Sequence, residues 1–246
     1  MDEVEIVVAH SERATLKVGD VFLKVDSDRE RLEREMHAMD LAPVPTARIR
    51  WHQAPVAALE ELAGSPLGRL GDPTSRSSAA WRSTGAAIQK LHGAPLPPWI
   101  APGPSEITTE LDAECEWLVT SGVLSDELVV RNRDVAAVAL REWSPAFTHG
   151  DLQIAHVFLD ENDAVTGILD WSEAAQGDPL YDLATLTLGH PEHLDDLVAG
   201  YGSPVDRHVI RGWWSVRSLL AARWLIEHGF DPDAPGCEFD VLRAVE

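Results

Sequence analysis

Carboxylates and imidazoles crowd one stretch of this 246-residue chain. It reads Phe147-Thr148-His149-Gly150-Asp151, then His156-Val157-Phe158-Leu159, then Gly167-Ile168-Leu169-Asp170-Trp171, then Gly177-Asp178-Pro179-Leu180-Tyr181-Asp182. Each charged group adjoins an apolar run, where a strand gives way to a loop. Residues 157–159 and 165–169 read as two short strands joined by a turn at 160–163. Such a hairpin carries Asp151, His156 and Asp170 to one end of a small sheet. Like charges held close cost energy unless a cation neutralises them. Hard oxygen donors with one imidazole suit Mg²⁺, with Mn²⁺ as the alternative, better than a zinc cage.

The elements that must position these groups come first in the chain. Residues 3–9 and 14–25 alternate and are partly β-branched, with Gly19-Asp20 as a hairpin turn. Ser27 or Asp28 caps a helix to about residue 40, and Pro43 and Pro45 stop it. A strand follows near 56–60. This β-β-α-β order describes a small β-rich lobe over residues 1–62. From residue 63 the chain turns mainly helical. Helices are predicted near 81–92, 106–121, 125–142, 180–188, 192–201 and 206–228, with a proline-rich connector at 95–104. The fold class expected is α+β in two lobes, 1–62 and 63–246. Of nine tryptophans, Trp213, Trp214 and Trp224 share one predicted helix. Core packing is the expectation for them, and lining a pocket is the alternative.

Composition narrows the partners. The formal net charge of −21 argues against nucleic acid and anionic membrane, which both demand a basic face. It favours a cationic small molecule, and it serves solubility equally well. No apolar run reaches the length of a membrane span. The acidic start, Met1-Asp-Glu-Val-Glu-Ile, lacks a secretory pattern. Cys115 and Cys237 lie far apart without metal-ligand spacing, as reduced thiols would. A cytoplasmic location is expected.

Taken together, His149-Gly150-Asp151 with His156 five residues after the aspartate, Ile168-Leu169-Asp170-Trp171, and Gly177-Asp178-Pro179-x-x-Asp182-Leu-Ala resemble the aminoglycoside phosphotransferase family. Its pattern is H-G-D-x-x-x-x-N, then an I/V-D motif, then G-D-P-x-x-D. The first half is similar more loosely: Phe22-Leu23-Lys24 resembles the strand of the nucleotide-binding lysine, and Glu33-Arg34-Glu35 followed by Pro43-Val44-Pro45 resembles the E-x-E helix and its exit. The resemblance implies a two-lobed protein-kinase-like fold and phosphoryl transfer from ATP or GTP to a hydroxyl of a small molecule. Asp151 would be the catalytic base. Lys24 would grip the phosphates, held by Glu35, with Glu33 as runner-up. Ser11 stands where the family places a serine turn over the nucleotide, and the backbone of Glu60 and Leu62 would read the purine edge. Asp170 and His156 would hold the metal. His149, Asp178 and Asp182 would be structural.

One departure bears on the acceptor. Where the family pattern has asparagine, this chain has His156. Together with Asp170-Trp171-Ser172-Glu173-Ala174, that is similar to macrolide phosphotransferases. An antibiotic-like acceptor is thus expected, aminoglycoside or macrolide. Three alternatives stand beside it: a metabolite kinase for choline- or homoserine-like alcohols, a nucleotide-binding pseudokinase, and a metal-dependent hydrolase built on His149, Asp151, His156 and Asp170.

Overall fold

The computed structural model describes residues 4–9, 12–72 and 74–245. The chain opens with strands β1 (Val4–Ala9), β2 (Arg13–Val18) and β3 (Val21–Asp26). Val18 faces Val21 across the Gly19-Asp20 turn, and Gly19 takes a φ of 62°. That left-handed turn fits the right-handed twist of paired strands. Helix α1 (Arg29–Leu41) follows. Of the two capping residues expected, Asp28 does the work: its side chain accepts from the amides of Glu30 and Arg31. The buried stripe of α1 is Leu32, Glu35, Met36 and Met39, so a carboxylate sits in an otherwise apolar face and needs a partner.

Strands β4 (Ile49–Gln53) and β5 (Val56–Glu60) complete an antiparallel sheet of order β1-β2-β3-β5-β4. The sequence reading lacked β4. Its residues Ile-Arg-Trp-His-Gln are almost all exposed, so no apolar alternation marks it, as suits an edge strand. The short β6 (Ser65–Pro66) leads out of this region.

The remaining part is mainly helical: α2 (Ser78–His92), α3 (Pro104–Thr120) and α4 (Asp126–Ala136), then α5 (Pro179–Thr187), a 3₁₀ turn (Pro191–His193), α6 (Leu194–Tyr201), α7 (Arg207–Glu227) and α8 (Glu238–Arg243). Helix α4 stops at Ala136, short of the expected 142. Between α4 and α5 lie β7 (Ala146–Thr148), β8 (Val157–Leu159), β9 (Val165–Ile168) and β10 (Ala175–Gly177). The expected β8–β9 hairpin is present, with Val157 opposite Ile168. Asp160 closes its turn by accepting from the amides of Asn162 and Ala164.

Trp81, Ile88 and Leu91 of α2, Leu183 and Leu186 of α5, and Val216 and Leu219 of α7 are buried in the core. Helices α2 and α6 approach backbone to backbone. A Cβ on Gly85 would strike the Leu197 carbonyl, and one on Gly200 the Arg82 carbonyl. The two parts meet at the hairpin, where the Ile168 amide donates to the Pro45 carbonyl at 2.9 Å. Trp213 is buried and Trp214 half-buried, as expected for core residues, but Trp224 is exposed and stacks on His228 and Phe230.

Candidate active site

The site is built where α1, β3 and the ends of the small sheets converge. Strand alternation turns Lys24 toward α1 while Val25 faces solvent. Its Nζ lies 2.5 Å from Glu35 Oε1 and 3.1 Å from Asp170 Oδ1. One lysine thus joins β3 to α1, the next element, and to the end of the hairpin 146 positions on. Glu33, the runner-up partner, is turned away and pairs with His52 at 3.6 Å.

Burial opposes the charge on Lys24, but Glu35 and Asp170 outweigh it and push its pKa up. Glu35 also moves up, chiefly through burial, with Asp170 adding to it and Lys24 pulling the other way. A raised lysine favours the charged pair and a raised carboxyl opposes it. The 2.5 Å contact and the second carboxylate on the same ammonium decide for a charged lysine. Asp170 is held below the usual carboxylate range: burial acts against this, and Lys24, His156 and Arg13 overcome it.

Asp170 has a φ of 65°, a left-handed conformation that costs a non-glycine residue about 1 kcal/mol or more. Its neighbours enforce it. Trp171 is buried and its indole donates to the Ile168 carbonyl at 2.9 Å, while the Leu169 amide donates to the His156 carbonyl. The bend aims the carboxylate at Lys24 and His156 rather than along the strand.

His156 Nδ1 lies 2.8 Å from the Asp151 carbonyl. A carbonyl only accepts, so Nδ1 carries the proton and Nε2 of the neutral ring keeps its lone pair. That Nε2 lies 3.9 Å from Asp170 Oδ2. An anionic oxygen and an oriented imidazole nitrogen therefore face one another, as metal ligands with a fixed tautomer do. Among the described residues no three His, Cys, Asp or Glu side chains gather as a metal cage. Asp170 and His156 are thus two donors that could hold a divalent cation.

The loop that carries Asp151 is held from below. Gly150 has a φ of 85°, and a Cβ there would strike the Glu173 carbonyl. Asp182 is fully buried and accepts from the amides of His149 and Gly150 at 2.8 and 2.9 Å, and contacts His92 Nε2 at 3.0 Å. It thus fixes the loop, not only the helix that carries it. Burial acts to raise its pKa, but His92, His149 and the backbone donors hold it low. Asp178 caps α5 through the Leu180 amide. Both ring nitrogens of His149 are committed, Nε2 to the Leu169 carbonyl and Nδ1 to the Asp151 amide. That leaves no imidazole there for the hydrolase cluster.

Asp151 itself lies at the loop's mouth. Its Oδ1 accepts from Gln153 Nε2 and from Arg217 Nη2, each at 2.9 Å, and its Oδ2 from Gln153 at 3.1 Å. Sequence reasoning named neither partner. Gln153 occupies a variable place between the motif residues, and Arg217 lies 66 positions on, in a helix whose pattern signals only packing. Across the cleft, Arg13 Nη2 donates to Ser172 Oγ at 3.1 Å, tying β2 to the segment after Asp170. Glu60 and Leu62 sit where β5 leaves the sheet. The Glu60 amide donates to the Arg48 carbonyl, and the Leu62 side chain covers Gly167. Ser11 lies outside the described residues.

A lysine–glutamate pair under a β-sheet, facing an aspartate at a hairpin and a second on a loop of the helical part, is the arrangement of the protein-kinase-like fold, here two-lobed and α+β. Within that fold the chain belongs to the phosphotransferase enzyme family, whose profile matches residues 10–213. It is 33% identical over 101 residues to viomycin phosphotransferase of Streptomyces vinaceus, a match covering 37% of this chain and 35% of that protein. The chain matches about a third or less of the length of the curated relatives it resembles. Solved structures share the fold. A macrolide 2'-phosphotransferase type I gives a TM-score of 0.69 at 19% identity, covering 98% of this chain and 89% of that one. The GDP and kanamycin complex of APH(2")-IIia gives 0.73 at 18%, covering 98% and 92%. A choline/ethanolamine kinase family protein from Mesorhizobium loti gives 0.73 at 18%, covering 99% and 87%. No helix among the described residues is long and apolar enough to cross a membrane.

Proposed function

We propose that this chain is a small-molecule kinase that moves the γ-phosphate of ATP or GTP to a hydroxyl of an antibiotic-like acceptor. The observation that carries the reading is Lys24, bound at once to Glu35 at 2.5 Å and Asp170 at 3.1 Å. A cation shared by two carboxylates is suited to receive phosphate oxygens when a second cation arrives to satisfy Asp170. Asp170 and His156 would hold Mg²⁺, which supplies neutralisation of the charge on the phosphate oxygens. Lys24 would bind the α- and β-phosphates, kept in place by Glu35. Ser11, Glu60 and Leu62 would cover and read the nucleotide.

Asp151 would orient the acceptor hydroxyl. As the acceptor oxygen bonds to the γ-phosphorus, the bond from that phosphorus to the bridging oxygen breaks and a nucleoside diphosphate leaves. Asp151 then takes the hydroxyl proton, late in the step. The protein's contribution is chiefly position and charge.

The likeness to viomycin phosphotransferase adds viomycin to the aminoglycosides and macrolides as a candidate acceptor, and the acidic chain suits cationic acceptors. The test is a panel of viomycin, kanamycin, streptomycin and erythromycin with radiolabelled ATP and GTP and Mg²⁺. Transfer to at least one is expected. Transfer to choline or homoserine but to no antibiotic would replace the acceptor class. A melting temperature that neither nucleotide raises in the presence of Mg²⁺ would end the kinase reading.

A further inference from the structure

We infer that Arg217 is a positioning residue for Asp151, holding one carboxylate oxygen from α7 so that the other meets the acceptor hydroxyl; the inference rests on the kinase reading above. Oδ1 takes both a guanidinium and an amide donor at 2.9 Å, whereas Oδ2 takes only the longer 3.1 Å contact. Oδ2 therefore keeps accepting capacity, and Oδ1 is saturated. Without Arg217 the carboxylate would turn about its terminal torsion, which is broad and roughly two-fold for aspartate. Gln153 alone, two residues away on the same loop, would turn with it.

Helix α7 is a fixed mount for this contact. Trp213 donates to Asp178 Oδ2, Trp214 to the Ala184 carbonyl and Ser215 to Asn132 Oδ1. The first two tie α7 to α5, the same helix whose Asp182 holds the amides of His149 and Gly150. Backbone and side chain of the catalytic loop are thereby referred to one rigid pair of helices.

Packing alone does not account for an arginine here. Its neighbours Val216, Ser218 and Leu219 are buried, and its own Nε is buried without a hydrogen-bond partner among the described residues. An apolar side chain of similar length would fill the volume without an unmet donor. Burial works against its charge, yet Tyr181, Asp151, Glu238 and Glu173 outweigh that and push its pKa further up. It is a permanent cation beside the loop.

The test uses the full chain and measures phosphate release from ATP and GTP with Mg²⁺, water serving as acceptor. Arg217→Met is expected to lower kcat by about tenfold to a hundredfold, with the nucleotide KM within about twofold of wild type. Arg217→Lys, which keeps a donor and the charge, is expected to recover most of that loss. In an Asp151→Asn background, Arg217→Met is expected to lower kcat no further, because it acts through the carboxylate. If Arg217→Met does not fold, Arg217→Gln takes its place. A kcat within about twofold of wild type overturns the inference, as does a loss that adds in full to that of Asp151→Asn. Wild-type turnover with an unaffected Arg217 variant removes this inference and leaves the kinase reading standing. Wild type that releases phosphate from neither nucleotide, and whose melting temperature neither nucleotide raises with Mg²⁺, removes both.

Discussion

The two sides of the cleft treat their carboxylates differently. On the nucleotide side one cation serves two acids: Lys24 holds Glu35 and Asp170 together. On the acceptor side one acid has two donors, since Asp151 accepts from both Gln153 and Arg217. The first arrangement is short of positive charge and, under the proposed function, would be completed by a dication. The second is already balanced and needs only a hydroxyl. On the proposed function, the Lys24 side is built to gather charge about the nucleotide and the Asp151 side to hold the direction of the acceptor. That is the division expected when phosphoryl transfer proceeds through a loose transition state in which proton removal comes late.

The largest expected effect breaks the acceptor side alone. Asp151→Asn keeps the size of the side chain and loses its charge. Transfer should fall by about 10²- to 10⁴-fold, as for loss of a positioned base, while Mg²⁺-dependent nucleotide binding, read as a rise in melting temperature, should persist. Loss of nucleotide binding in this variant would mean that the two sides are one charge cluster, and the comparison would fail.

The next effect tests the nucleotide side through stability. Lys24→Met leaves Glu35 buried with no cation, a change expected to cost about 3–5 kcal/mol, as when one partner of a buried pair is removed. Replacing both partners, as Lys24→Met with Glu35→Leu, should return most of that stability without returning turnover, measured by urea unfolding beside phosphate release. If the double variant is as unstable as the single one, the pair is not an independent local unit.

The same contrast explains what was legible in the sequence. Lys24, Glu35, Asp151 and Asp170 each sit in a short segment where strand alternation, helix spacing or a motif fixes their neighbours. His156 was legible because it falls five residues after Asp151, and the hairpin turn sets its distance from Asp170. Arg217 was not, since nothing in the chain near α7 distinguishes an arginine aimed at a loop from one aimed at water. From the sequence Asp182 reads only as structural, and an acid early in a helix commonly serves that helix. Only the fold shows that its oxygens are spent on the amides of His149 and Gly150. Strand β4 escaped because an exposed edge carries no apolar period, and Trp224 was read as core because helical spacing does not report where a helix outruns its neighbours.

The smallest effect separates what the two sides share, the platform beneath the loop. In Asp182→Asn one acceptor oxygen becomes a donor, facing either the Gly150 amide or the His149 amide and His92 Nε2, at a cost of about 1–3 kcal/mol. The pH dependence gives the sign. The folded-state pKa of Asp182 lies below its unfolded value, so its stabilisation is fully present above the ordinary carboxylate value of about 4 and is lost as pH falls through the folded value. The gap in melting temperature between wild type and Asp182→Asn should therefore be constant from about pH 5 to 7 and narrow below about pH 4. A gap that widens on acidification would mean that Asp182 is protonated in the folded protein, and that the loop is held by neutral hydrogen bonds rather than by a buried charge.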